Sequence, residues 1–157
     1  MKILGIDPGL GIIGFGCIEL GKKSPVLVDA GVIRTTIGNT PASRLVELYE
    51  AMTELVTEIK PDAASVEKLF FVQNITTGMD VSQARGVILL VLEQAGVPIA
   101  EYTPLQIKMA ITGYGKAKKA DVQEMVRLQL GLTEVPKPDD CADALAAALT
   151  HATAGRM

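Results

Sequence analysis

Apolar residues come in short blocks over the first 36 positions of the chain, then recur in three- and four-residue steps. Residues 2–7 (KILGID), 12–20 (IIGFGCIEL) and 25–36 (PVLVDAGVIRTT) read as strands. The links Pro8-Gly9-Leu10-Gly11 and Gly21-Lys22-Lys23-Ser24 are turn-like, so the three strands predict an antiparallel meander. From Leu45 the period changes. Leu45, Leu48, Tyr49, Met52, Leu55, Val56 and Ile59 form one helical stripe. Thr40 is placed to cap this helix, Pro41 to begin it and Pro61 to end it. Residues 62–67 (DAASVE) predict a short strand ending on an acid, and 68–78 a loop. A long helix is expected over 79–95 and a strand over 97–102. Helical patterns over 104–111, 119–130 and 139–153 complete the chain, the first two parted by Gly113-Tyr114-Gly115.

This order, βββ-α-β-α-β-α-α-α without repeat or linker, predicts one α/β domain over residues 1–157. The helix at 79–95 is apolar on nearly every side and needs two covers. The sheet supplies one, and a second copy of the chain is expected to supply the other, giving a homodimer through this helix. The longest strictly apolar run is Val87 to Leu92, too short for a membrane span, and Asp7 interrupts any signal-peptide core. Cys17 and Cys141 lack metal-ligand spacing and are expected as small core residues in a reducing, cytoplasmic setting.

Charge changes the picture only locally. The net charge is −3, which does not by itself suggest a nucleic-acid partner. Yet "KMAITGYGKAKK" (108–119) holds Lys108, Lys116, Lys118 and Lys119 with no acid and one aromatic. Lysines at a helix start oppose its dipole, which phosphates covering them would explain.

Four carboxylates stand out by position. Asp7 ends the first strand, Glu67 ends the fourth, and Asp140 and Asp143 share one face at the head of the last helix. If the first and fourth strands are neighbours, Asp7 and Glu67 lie side by side, and the last helix can bring its acids across them. Four converging acids raise one another's pKa values and call for divalent cations, for which oxygen ligands suit Mg²⁺ or Mn²⁺. Gly14 and Gly16, inside the second strand, predict a bend or a close backbone approach, the latter by DNA if the lysine cluster binds phosphates.

"GIDPGLGIIGFG", "SVEKLFFVQN", "SQARGVIL" and "DDCADALAAALTH" together resemble the signatures of the RuvC family of Holliday-junction resolvases, in the family's order and over the whole chain. The resemblance implies an RNase H-like fold with a mixed five-stranded sheet, three strands antiparallel and then two parallel, flanked by helices. It implies a homodimeric endonuclease with two Mg²⁺ or Mn²⁺ ions per site. That enzyme would nick four-way DNA junctions in pairs, leave 5′-phosphate and 3′-hydroxyl ends, and partner the branch-migration proteins RuvA and RuvB. The family's catalytic acids fall on Asp7, Glu67, Asp140 and Asp143, its junction-stacking aromatic on Phe70 and its functional lysines on Lys108 and Lys119. Spacing alone does not choose between Phe70 and Phe71. Cys141-Ala142 stands where many members carry Ala-Ala. Two other readings remain: the opening glycines also resemble the first phosphate loop of actin-like ATPases and sugar kinases, and a catalytically silent junction binder would keep the same surface.

Overall fold

The computed structural model describes residues 1–68 and 74–154. Its elements are β1 (Lys2–Asp7), β2 (Ile12–Leu20), β3 (Pro25–Arg34), α1 (Pro41–Ile59), β4 (Ala63–Glu67), α2 (Ile75–Gln94), β5 (Ile99–Tyr102), α3 (Pro104–Thr112), α4 (Lys119–Gln129) and α5 (Asp139–Ala154). The strands form one sheet in the order β3-β2-β1-β4-β5, with β1–β2 and β2–β3 antiparallel and β1–β4 and β4–β5 parallel. This is the mixed sheet that the sequence predicts, and β1 and β4 are indeed neighbours.

Alternation along β1 sorts the residues between two cores. Leu4 and Ile6 face α1 and α2 with Leu48, Met52, Ile88 and Leu92. Ile3 faces the opposite layer with Ile107, Val126, Leu145 and Leu149 from α3, α4 and α5. Gly5 and Asp7 share the Ile3 face by their period of two. The second layer lies unusually close to the sheet. A Cβ on Gly5 would stand 2.8 Å from the Ala148 backbone nitrogen, and one on Gly14 2.9 Å from Asp140 Cβ. Gly16 backs onto the Leu145 side chain in the same way. The approach that these glycines allow is therefore that of α5, not of DNA. Alanines at 144, 146, 147 and 148 make the facing side of α5 equally thin.

The long helix begins four residues earlier than its apolar pattern suggests. The Asn74 side chain accepts from the N–H groups of Thr76 and Thr77, so a cap starts a turn that the β-branched pair and Gly78 made look like loop. β3 ends two residues early, and β5 starts two residues late, because Val97 and Pro98 lie outside the ladder. By length and composition α2 could cross a membrane. Here Ala84, Ile88, Val91 and Leu92 are buried in the core, and Arg85 pairs with Glu101 of β5. The other side of α2 remains open, with Met79 60% and Leu90 50% exposed. Both cysteines are buried, as expected.

Candidate active site

The parallel pairing of β1 with β4 runs to Ile6 opposite Val66, so the next residues, Asp7 and Glu67, end neighbouring strands side by side. Their backbones stay paired with Gly14 of β2 and Tyr102 of β5, which fixes where the two side chains start. α5 then crosses the same face. The Ser65 hydroxyl, fully buried one step inside Glu67, donates to the Ala147 carbonyl at 2.6 Å and pins helix to sheet. The Gly14 contact with Asp140 fixes the head of that helix over β2, opposite Asp7 in register.

The result is a cleft of about 300 Å³ lined by Asp7, Glu67, Asp143, Lys108 and Lys119, with Pro104, Ile107, Val122 and Ala146 behind them. A second hollow on the α2 side shares Asp7 and Glu67 and adds Lys68 and Arg85. These two cations went unassigned in the sequence, although Lys68 directly follows Glu67 and Arg85 lies within "SQARGVIL". Asp140 sits half-buried at the helix head. Lys116 and Lys118 are exposed outside the cleft, and Phe70 and Phe71 lie outside the described residues.

Electrostatics mark the carboxylates as a set. Burial pushes Asp7 up to about 8, and the negative charges of Glu67, Asp143 and Asp140 add to the shift. Glu67 is raised by burial and by Asp143, against a hydrogen bond with Asp7 that favours its charge. Asp143 is raised by burial, opposed by Lys119. Lys119 Nζ lies 2.9 Å from Asp143 Oδ2 and 3.5 Å from Asp139 Oδ2. Burial works against its charge, but these two carboxylates more than offset that and raise its pKa. The N-terminal lysine that seemed to call for a phosphate thus already has partners in the protein.

The residues fit divalent cations of the Mg²⁺ type. The donors are carboxylate oxygens without His or Cys, and their mutual repulsion is incompletely neutralised by Lys119. Among the described residues no three such side chains already form an ion cage. The reason is visible in the pairing: Asp143 is turned to Lys119, and Asp7 shares a hydrogen bond with Glu67. Other rotamers of these side chains would be needed to make the cluster a ligand set.

A stability prediction follows from Asp7. Its folded-state value near 8 lies above the ordinary 3.8, so folding favours the protonated form. That contribution is complete below about pH 4 and is lost as pH rises through about 8. Thermal melting in EDTA is expected to show a midpoint that falls between pH 5 and 8. Asp7→Asn should flatten part of this fall and melt higher than wild type at pH 8. Parallel pH profiles for the two proteins would contradict the assignment.

The sequence model of the family "Crossover junction endodeoxyribonuclease RuvC" matches residues 3–151. A crossover junction endodeoxyribonuclease RuvC from Brevibacillus brevis is 54% identical over 152 residues, covering 97% of this chain and 92% of the relative. One from Chloroflexus aurantiacus is 49% identical, with 97% and 93% covered. The structure of Thermus thermophilus RuvC in complex with Holliday junction substrate superposes with a TM-score of 0.94 at 37% identity, covering 100% of this chain and 96% of that one. The fold is accordingly the RNase H-like α/β fold of that structure.

Proposed function

This chain belongs to the RuvC family of crossover junction endodeoxyribonucleases, and we propose that it resolves four-way DNA junctions by hydrolysing one phosphodiester bond in each of two strands. The observation that carries this reading is the carboxylate cluster at the ends of β1 and β4 and the head of α5, with Lys119 among its acids. The relatives' shared name and the junction held by the Thermus thermophilus structure support it. The family match over residues 3–151 favours this reading over that of an actin-like or sugar-kinase ATPase. All four acids being present argues against a silent binder.

Asp7, Glu67, Asp140 and Asp143 would hold the ions. Two Mg²⁺ or Mn²⁺ ions so held would activate water and neutralise the leaving oxygen in phosphodiester hydrolysis. The chain's own residues do the rest. Asp7 and Glu67 stand on adjacent strand ends and are kept in register by the sheet. Ser65 and the thin glycine–alanine contact set the height of α5, and so of Asp140 and Asp143, above them. Lys119 pairs with Asp143 in the ion-free chain and would neutralise the phosphate, and Lys108 lines the same wall. As a flexible point charge, a lysine suits both positions. Phe70 would stack on an unpaired base at the junction centre, and Lys116 and Lys118 would contact phosphates further out. The enzyme would act in the cytoplasm with the branch-migration proteins RuvA and RuvB.

Two symmetric nicks call for two sites related by a two-fold axis. The open side of α2 supplies an interface for this. Met79, Gln83, Gly86 and Leu90 follow one another at helical spacing, and open space surrounds Gly86. Leu90→Glu is expected to weaken the dimer at least about tenfold in sedimentation equilibrium and to replace paired nicks by single ones. An undiminished dimer would move the interface elsewhere. The activity itself is tested on a synthetic four-way junction with Mg²⁺ or Mn²⁺. Paired nicks that a ligase seals without end repair are expected. Cleavage undiminished in excess EDTA would overturn the ion-dependent reading.

A further inference from the structure

The corner between α3 and α4 pairs a fixed backbone with an exposed ring. Gly113 closes α3 in the left-handed region at φ 74°, donating to the Met109 carbonyl at 2.9 Å. The Tyr114 N–H donates to Thr112 Oγ1 at 3.1 Å, and the Ala117 N–H to the Tyr114 carbonyl at 3.0 Å. Gly115 packs so tightly on α3 that a Cβ there would stand 2.6 Å from Leu105 Cδ1. Ala117 is buried beneath. Everything around Tyr114 is anchored, yet its side chain is 60% exposed. Leu105 and Met109, one helical turn apart on α3, extend the same exposed apolar strip.

Residues 102–120 contain four lysines and no acid, in a chain of net charge −3. Lys108 and Lys119 turn into the catalytic cleft, whereas Lys116 and Lys118 stay exposed and make no ion pair among the described residues. Lys118 also occupies the N-cap position of α4, where Ser, Thr, Asp or Asn would accept a backbone N–H and lysine cannot. The Asp121 carboxylate accepts the Lys118 N–H at 2.9 Å and offsets the helix dipole, which leaves the Lys118 side chain itself exposed and without a partner among the described residues.

Resting on the function proposed above, we propose that Tyr114 is a DNA-contacting residue. Its ring would pack on a base or sugar of the junction strand entering the cleft, while Lys116 and Lys118 hold the flanking phosphates. An exposed aromatic between lysines suits nucleic acid, since rings stack on bases of any sequence and lysines follow the backbone. The same two helices reach the carboxylate cleft, which Pro104, Ile107 and Lys108 of α3 and Lys119 of α4 line. The corner is thus how a chain of acidic balance gains a local cationic surface.

The test uses the full chain and a labelled four-way junction, with binding measured in EDTA at fixed salt. Tyr114→Ala is expected to weaken binding about tenfold with an unchanged melting temperature, and Tyr114→Phe to restore it to within about twofold. The chain contains no Trp. Tyr114→Trp therefore gives a single reporter, whose emission the junction should quench. Replacing Lys116 and Lys118 together by Ala should lower the log–log salt slope of binding by about 2. Wild-type affinity in Tyr114→Ala, or unquenched emission from Tyr114→Trp, would overturn the proposal. Loss of binding to a RuvA or RuvB protein with junction affinity intact would likewise overturn it, in favour of a protein-docking corner. If wild type binds the junction but never cleaves it, the function above fails independently of this contact.

Discussion

Asp7→Asn is expected to reduce single-turnover junction cleavage by at least about 10³-fold while the junction stays bound. The substitution keeps the shape of the side chain and removes its charge. Asp7 faces Glu67, Asp143 and Asp140 together, so it is the one acid whose ionisation all the others oppose. A cation that satisfies the cluster has most to gain there. Loss of about 4 kcal/mol of transition-state charge stabilisation corresponds to that factor. Binding should survive because the lysines remain, and removal of one negative charge from the cleft favours a polyanion slightly. The same change should stabilise the ion-free chain, for the reason given by its pH profile. Gain of stability with loss of activity is the expected mark of a site assembled against its own repulsion. Cleavage within tenfold of wild type would remove Asp7 from the centre of the account.

Gly14→Ala is expected to damage cleavage from a residue that carries no chemistry. The added methyl would meet the Asp140 carbonyl and stand 2.9 Å from Asp140 Cβ, both parts of a helix held by its own hydrogen bonds. α5 must lift at its head, and Asp140 and Asp143 lift with it. Displacements near 1 Å cost about 10²-fold in well-positioned sites. Overpacking of this kind costs about 1–3 kcal/mol, so melting should fall by about 3–10 °C. Gly16→Ala is the informative comparison. Its methyl would meet Leu145 Cγ at 2.5 Å and the Leu145 backbone nitrogen at 3.1 Å, further along α5, so the closest clash is with a side chain and not with the backbone that carries Asp140. It should cost stability with a much smaller loss of rate. Equal loss of rate in the two variants would mean that helix height is not what places the acids.

The comparison of these glycines also shows where sequence reading stops. The strands and the helix cap at Thr40 follow from alternation and capping residues, and the element order allows the neighbouring of β1 with β4. The start of α2 did not, because Asn74 caps a turn made of poor helix formers. A glycine inside a strand announces a close approach but not what approaches. Gly14 and Gly16 suggested DNA, and the visitor is α5. The four acids were legible because strand ends and a helix head are positions that topology fixes. The pairing of Lys119 with Asp143 and Asp139 was not, since it depends on how α4 packs against α5. Lys116 and Lys118 looked equivalent to Lys119 along the chain, yet only Lys119, the first residue of α4, lines the cleft.

The central claim is that Asp7, Glu67, Asp140 and Asp143 are ligands of divalent cations. A crystal of the chain soaked with Mn²⁺ tests it directly, because Mn²⁺ scatters anomalously and locates itself. The account predicts two anomalous peaks about 4 Å apart, both within coordination distance of Asp7, with Lys119 moved off Asp143. An Mn²⁺-active protein whose crystal shows no anomalous peak at Asp7 would contradict it.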